Sequence, residues 1–308
     1  MKDEHGESFD CFGGTCAAYV IGEHADAAVA HAKRRLLGWH DHFTRFDPMS
    51  ELSRLNADRR DAVPVSFLLA RLAQTAVGAA ELTGGLVDAT LLGELEQAGY
   101  RSDLGEPVPL AEALRLAPSR ARAAGREGAP WRALSVDGRI VRRPPGMKLD
   151  GGGLAKGLFA DALACELTGY RGFAIDCAGD LRVGGLARRV SVDDPFGRGA
   201  LATLRIADGA IATSGISRRS WIDDAGRPAH HLLDPSTGAP AFTGIVQATA
   251  VAPTAVEAEI RAKAALLSGP ERAPAWLPHG GVLVFDDGST QHCRGDQPVP
   301  HRRLRRAA

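Results

Sequence analysis

The chain has 308 residues, of which 44% are hydrophobic and 24% are charged, a composition typical of a folded globular protein. Basic and acidic residues balance at 37 each, so the overall charge gives no indication of a nucleic-acid or membrane partner. No stretch reaches the roughly 18 uninterrupted apolar residues that a membrane-spanning helix needs, and we expect no membrane insertion.

The two ends of the chain are predicted to lie outside the folded part. Residues 1–10 are charged and contain no apolar run, which predicts a flexible N-terminus without a secretory signal. Residues 298–308 form a basic tail, which is predicted to be solvated, although such a tail could also bind a phosphate or an acidic surface. The five cysteines include no close CxxC pair and indicate reduced thiols, so we predict a cytoplasmic protein.

Helical patterns dominate the first half of the chain. A short strand is predicted at 15–20, followed by a helix at 26–42. Ser50 is a predicted helix N-cap, because its hydroxyl can accept a backbone N–H of the first turn. An amphipathic helix is predicted at 65–83, and a hairpin at 134–141.

From Lys148 onward, predicted hairpins are mixed with helices. This mixture, without regular strand–helix alternation, predicts an α+β fold with mixed or antiparallel sheets rather than a doubly wound one. One domain is expected at 11–297, with two interwoven lobes at about 11–147 and 148–297. The predicted strands are 173–177, 181–183, 189–192, 202–206, 210–213, 245–252 and 281–285, and the predicted helices are one that opens at the glycine run and one at 255–267.

A glycine run is the first candidate functional element. Gly151, Gly152 and Gly153 precede a predicted helix, where backbone N–H groups can approach an anion at the positive end of the helix dipole. Asp150 and Lys156 would add a carboxylate and an ammonium to the same site. The alternative is a tight strand-to-helix turn with a solvated Lys156.

A second candidate element follows near residue 213. Thr213, Ser214 and Gly215 offer hydroxyl and N–H donors that suit phosphate oxygens. His230 and His231 follow shortly after, and either ring could act as a base or a ligand, because histidine titrates near neutral pH. Structural hydrogen bonding is the alternative for both histidines.

Taken in order, these elements resemble the ApbE-type FAD:protein FMN transferases. The resemblance extends from about Gly14 to Gly269, and one element departs from the family pattern by lacking its proline. The matching segments are Gly14-Thr15, Phe46-Asp47-Pro48, Ser50-Glu51-Leu52-Ser53-Arg54-Leu55-Asn56, Gly85-Leu86-Val87-Asp88-Ala89-Thr90 (the element without proline), Asp150 through Gly157, Ala178-Gly179-Asp180, Thr213-Ser214-Gly215 and His231 through Gly238.

The resemblance implies a T-fold-like architecture with a flavin cleft between two lobes. An aromatic ring in such a cleft suits stacking on the isoalloxazine. FAD would be bound by Phe12, Phe46, Leu86, Val87, Asp88, Asp150, Lys156, Thr213, Ser214, Gly215 and Leu232.

The resemblance also implies a reaction, in which FMN passes from FAD to a threonine hydroxyl of an acceptor protein and AMP is released. His231 is the candidate base that deprotonates this hydroxyl, and Lys156, beside the phosphates, is the second candidate catalytic residue. The sequence does not identify the acceptor.

The family's magnesium site is altered in this sequence. The resemblance implies a Mg²⁺ ion held by the main-chain oxygen of Gly153 and by an aspartate and a threonine four residues apart, where this chain has Glu259 and Lys263. Glutamate can ligate magnesium, but an ammonium has only donors. Glu259 and Lys263 could form a simple helix ion pair, or the Lys263 ammonium could take the metal's place.

Three functions therefore remain open from the sequence. They are a magnesium-assisted FMN transferase, a non-catalytic FAD-binding protein with a degenerate metal site, and an FAD pyrophosphatase that yields FMN and AMP.

Overall fold

The computed structural model describes residues 3–102, 105–297 and 299, which form both helices and strands. The α-helices are α1 (Ala25–Phe43), α2 (Glu51–Ala57), α3 (Phe67–Thr83), α4 (Leu92–Gln97), α5 (Leu110–Arg115), α6 (Ala155–Glu166) and α7 (Ala255–Ser268), and short 3-10 helices lie at Pro130–Ala133 and Ala273–Trp276. The strands are β1 (Glu4–Cys11), β2 (Gly14–Ile21), β3 (Ala62–Pro64), β4 (Ser135–Asp137), β5 (Ile140–Arg142), β6 (Gly172–Cys177), β7 (Asp180–Gly184), β8 (Arg188–Asp193), β9 (Ala200–Ile206), β10 (Gly209–Gly215), β11 (Ser220–Ile222), β12 (Pro228–His230), β13 (Leu233–Asp234), β14 (Ala239–Pro240), β15 (Ile245–Ala252), β16 (Gly281–Phe285) and β17 (Thr290–Cys293).

An eight-stranded sheet organises the fold. Its strand order is β1-β2-β6-β7-β10-β15-β16-β17, and every neighbouring pair is antiparallel. A three-stranded sheet, β3-β5-β4, and three two-stranded pairs complete the strands of the described residues. The predicted α+β class with antiparallel sheets is confirmed.

Two helices, α6 and α7, pack against this sheet and carry Lys156 and Lys263. Every residue of β15 is buried, and α7 packs against β10 and β15 while α6 packs against β6 and β7. The two helices also contact each other at Gly157, where an added Cβ would lie 2.7 Å from the carbonyl oxygen of Ala255. Glycine at this position therefore allows α6 and α7 to approach closely.

Helix ends follow the predicted capping chemistry. Ser50 caps α2, since its hydroxyl accepts the N–H of Ser53 at 3.0 Å. Gly84 follows α3 with φ 61°, a left-handed conformation that glycine adopts without strain. No helix within the described ranges is long and apolar enough to cross a membrane.

The N-terminal prediction was wrong. Glu4–Cys11 is not flexible but forms β1, which pairs with β2 along its whole length. Its polar side chains are tolerated because most positions of this edge strand are exposed or half-buried, and only Cys11 is buried.

The C-terminal prediction falls largely beyond the described part of the chain. Of residues 298–308, only Val299 is described, and it packs against a buried cluster that includes Ile206 and Ile211. The division into two lobes stays a prediction.

Candidate active site

A cavity of about 640 Å³ lies between the α6–α7 region and the loops that follow α1 and α3. This volume is in the range of about 300–1,000 Å³ that is typical of ligand pockets. Its walls extend from Phe12 to Leu267, so both halves of the chain contribute. The predicted site residues that line it are Phe12, Phe46, Leu86, Val87, Asp88, Asp150, Gly153, Lys156, His231, Leu232 and Lys263.

The predicted Thr213–Gly215 phosphate site is not part of the cavity wall. These residues end β10, and their backbone pairs with β15. The Thr213 hydroxyl shares a hydrogen bond with the hydroxyl of Thr249 at 2.9 Å, and Ser214 is buried. The donors that the sequence offered to a phosphate are therefore within the sheet.

The loop between β1 and β2 places Phe12 at the cavity. Phe12 and Gly13 have φ angles of 56° and 69°, as a tight turn requires. The Phe12 ring packs against Phe159 and His40, with centroids 5.5 and 5.3 Å away. Its carbonyl oxygen accepts a hydrogen bond from Arg219 Nη2 at 3.0 Å, which joins this turn to the opposite wall.

The glycine run opens α6 and brings Lys156 to the cavity. The carboxylate of Asp150 accepts the N–H of Gly152 at 3.2 Å, which shapes the turn. Lys156 Nζ donates to Asp180 Oδ2 at 2.6 Å and lies 3.9 Å from Glu259 Oε1. Burial alone would lower the pKa of Lys156, but the two carboxylates outweigh it and raise that pKa above its ordinary value.

Lys263 reaches the same place from α7. Its Nζ donates to the carbonyl oxygen of Gly153 at 2.8 Å and lies 4.0 Å from Glu259 Oε1. Burial lowers the pKa of Lys263, against the opposing effect of Glu259. Glu259 itself is 2% exposed and does not line the cavity.

The carboxylate of Glu259 is held from several sides. Its Oε2 accepts the N–H of Gly157 at 3.1 Å. Burial, and secondarily the charge of Asp180, raises the pKa of Glu259 to about 7, against the opposing effect of Lys156 and Lys263.

These residues do not fit the magnesium ion that the sequence resemblance implied. The Gly153 oxygen already accepts a hydrogen bond from an ammonium, which cannot ligate a metal. Within the residues that the structure describes, there is no group of three or more His, Cys, Asp or Glu side chains able to hold a metal ion.

His231 presents a neutral ring to the cavity. Burial lowers the pKa of His231 well below its ordinary value, and the charges of Arg219, His230 and Lys263 lower it further. Its Nδ1 is buried and has no hydrogen-bond partner among the described residues. The lowered pKa favours the uncharged form of the ring.

Asp88 lines the cavity, but both oxygens of its carboxylate already accept hydrogen bonds from neighbouring residues. Its side chain has no exposed surface, and its Oδ2 accepts from Arg126 Nη2 at 2.9 Å. Its Oδ1 accepts the N–H and the hydroxyl of Thr90 at 2.8 and 2.6 Å. The carboxylate thus fixes the loop that presents Leu86 and Val87.

Three arginines of the cavity wall, Arg45, Arg218 and Arg219, were not predicted from the sequence. The Arg45 guanidinium lies 4.3 Å from the ring centroids of both Phe46 and Tyr100. Its Nε is 3.9 Å from Asp150 Oδ1. The proximity of Arg45 to the predicted aromatic, and of the Arg218-Arg219 pair to the predicted phosphate donors, is the sequence signal that could have found them.

Sequence comparison shows that the chain is similar to proteins that share one functional name. A profile of the ApbE family matches residues 12–285. A protein of Treponema pallidum named FAD:protein FMN transferase is 31% identical over 269 residues, which cover 77% of this chain and 71% of the relative. One of Klebsiella pneumoniae with the same name is 28% identical over 249 residues, covering 77% and 69%.

Solved structures share the fold. The ApbE protein of Thermotoga maritima superposes with a TM-score of 0.77 at 23% identity, covering 95% of this chain and 97% of the other. The flavin transferase ApbE of Vibrio cholerae superposes with a TM-score of 0.73 at 21% identity, covering 96% and 97%.

Proposed function

The chain belongs to the ApbE family, and we propose that it is an FAD:protein FMN transferase, which moves FMN from FAD to a hydroxyl group of an acceptor protein and releases AMP. Relatives of similar sequence carry this name.

The observation that carries the proposal is the chemistry of the cavity wall. It combines apolar and aromatic surface, which suits a flavin ring, with several cationic side chains, which suit a pyrophosphate. The cationic residues are Arg45, Lys156, Arg218, Arg219 and Lys263.

His231 supplies the base for the transfer. The acceptor hydroxyl gives its proton to the neutral ring while its oxygen bonds to the phosphorus of the FMN half. The bond from that phosphorus to the bridging oxygen breaks, and AMP leaves with the bridging oxygen and its negative charge. Lys156, hydrogen-bonded to Asp180, offers a fixed positive charge to the phosphate oxygens as this charge develops.

Two finer proposals follow from the sequence. We take threonine as the acceptor residue, in line with the family resemblance. All five cysteines are free, which supports a reducing compartment such as the cytoplasm.

The test is to incubate the protein with FAD, with and without bacterial lysate as a source of acceptors. AMP is followed by chromatography, and covalent flavin by in-gel fluorescence of the denatured proteins. We expect AMP release together with a fluorescent acceptor band. His231→Gln should abolish both, while His31→Gln, an exposed histidine outside the cavity, should leave both unchanged.

Other outcomes would replace the proposal with one of the alternatives. AMP release without a fluorescent band would identify a pyrophosphatase. Tight FAD binding without AMP release would identify a binding protein.

A further inference from the structure

We propose that the Lys263 ammonium is a built-in cation for the FAD pyrophosphate, so that the diphosphate binds here without a divalent metal. This inference rests on the proposed function, because the ligand of the site is the diphosphate of FAD, the proposed substrate.

The position of the ammonium is fixed by its contacts. Lys263 Nζ donates to the Gly153 carbonyl at 2.8 Å, and its side chain is only 13% exposed. The side chain lies directly over the glycine, where an added Cβ would be 3.1 Å from Nζ and 3.2 Å from Cε. An ammonium has three donors, and the Gly153 carbonyl occupies one of them, which leaves donors for phosphate oxygens.

The charges around Lys263 are arranged in two layers. Lys156 and Lys263 line the cavity, whereas Asp180 and Glu259 lie behind them and do not. The carboxylate side chains are 1% and 3% exposed, and those of the two lysines are 15% and 13% exposed. Asp180, together with the ionised form of Glu259, offsets ammonium charge at depth, so the positive layer faces an incoming anion.

A simple helix ion pair explains Lys263 less well. The Glu259 carboxylate is 4.0 Å from the ammonium, the limit for an ion pair, while the Gly153 carbonyl is 2.8 Å away. Glu259 also accepts the N–H of Gly157 on α6. Lys263 is therefore directed to the backbone that opens α6, where an anion is favoured.

The experiment compares FAD and riboflavin binding by flavin fluorescence, in excess EDTA and in millimolar magnesium. We expect the unaltered protein to bind FAD equally well in both. Lys263→Met should weaken FAD binding by about tenfold or more, because a charge-assisted hydrogen bond is lost, and should leave riboflavin binding nearly unchanged. The matched control Lys33→Met removes a lysine that pairs with Glu7 outside the cavity, and it should behave like the unaltered protein.

Two results would overturn the inference. One is FAD binding by the unaltered protein that strengthens about tenfold or more with magnesium, a comparison that needs no variant and so survives misfolding of Lys263→Met. The other is a folded Lys263→Met protein that binds FAD as tightly as the unaltered one in EDTA.

Failure of the proposed function gives a different result. Metal-independent FAD binding that depends on Lys263, but with no AMP release, would reject the transferase and keep the cation site. Absence of FAD binding in every condition would reject both.

Discussion

At the scale of single residues, Asp88 shows that a side chain can line a cavity without being free to bind the ligand. The sequence resemblance places Asp88 in the FAD site, and the structure places it on the cavity wall. Both of its oxygens, however, are hydrogen-bonded to Arg126 and Thr90. We therefore interpret Asp88 as the residue that stabilises the conformation of its loop. We expect its removal to lower the stability of the protein more than its affinity for FAD.

Loss of the Arg126 charge should destabilise the protein. Arg126→Met leaves the fully buried Asp88 carboxylate without its ion-pair partner, which should lower the free energy of unfolding by about 3 kcal/mol. Adding Asp88→Asn should recover part of this loss, because the buried charge is then also gone.

Denaturant unfolding of the single and double variants measures the effect of this pair. The control is Arg227→Met, which breaks an ion pair whose arginine side chain is 75% exposed and should change stability by less than about 1 kcal/mol. Equal losses for Arg126→Met and Arg227→Met would contradict the role of Asp88.

His230 should make the protein less stable in mild acid. Burial lowers the pKa of His230 to about 3, whereas an exposed histidine has a pKa near 6.5. Between these values the unfolded chain binds a proton that the folded chain does not, so stability falls as the pH decreases from about 6.5 toward about 3. His230→Gln removes this protonation site. It should reduce the slope of the unfolding free energy against pH by up to about 1.4 kcal/mol per pH unit.

The measurement is the free energy of unfolding as a function of pH for both proteins. Loss of the His230 ring contact with Phe242 will lower stability at every pH, so only the slope is diagnostic. Parallel curves would show that His230 is not a neutral buried base.

At the scale of elements, the start of α7 decides where Glu259 and Lys263 lie. Asp161 of α6 accepts the N–H groups of Ala255 and Val256 at 2.9 and 3.0 Å. It also lies 3.5 Å from the buried Arg182. One carboxylate thus joins the beginning of α7 to α6.

Asp161→Ala should loosen this junction. We expect a loss of about 2 kcal/mol or more in unfolding free energy, because two helix N–H groups and a buried arginine lose their acceptor. FAD binding should weaken too, since α7 carries Lys263. Glu257→Gln, which removes only the α7 ion pair with Arg261, is the control and should change little in either assay. Unchanged FAD affinity in Asp161→Ala would show that α7 is positioned by other contacts.

Elements with a strong local pattern could be predicted from the sequence. The limits of β15 and β16 match the predictions at both ends, and α7 extends the predicted helix by one residue. The first strand could not be predicted, because its charged residues lie at a sheet edge and show no apolar alternation. The short pairs β11–β12 and β13–β14 have only two or three residues per strand, which is too few to show an apolar alternation.

At the scale of the whole molecule, site residues could be predicted only where they belong to a recognisable sequence motif. The glycine run, His231 and Lys263 were identified from spacing and resemblance, and the structure brings them to one cavity. Arg45, Arg218 and Arg219 were missed because arginine is common on surfaces, although each lies near a predicted site residue in the sequence. The Thr213–Gly215 segment was proposed because its donors suit a phosphate, and the structure places it in β10, outside the cavity wall.

The uneven distribution of charge leads to a last prediction. The chain has 37 basic and 37 acidic residues, yet among the described residues the cavity wall carries five lysine and arginine side chains and two carboxylates, Asp88 and Asp150. Asp88 is neutralised by Arg126, so the cavity has a net positive charge. Added salt screens such a field, with a Debye length that falls from about 10 Å at 0.1 M to about 3 Å at 1 M.

FAD binding should therefore weaken severalfold between low and high salt, while binding of uncharged riboflavin should change by less than about twofold. Flavin fluorescence titrations at several salt concentrations measure both dissociation constants. Because Lys263 and Lys156 are mostly buried, screening should not remove the preference for FAD entirely, and Lys263→Met should show the smaller salt dependence. If FAD and riboflavin respond equally to salt, the ring would supply the affinity and the cations would serve only the bond-breaking step.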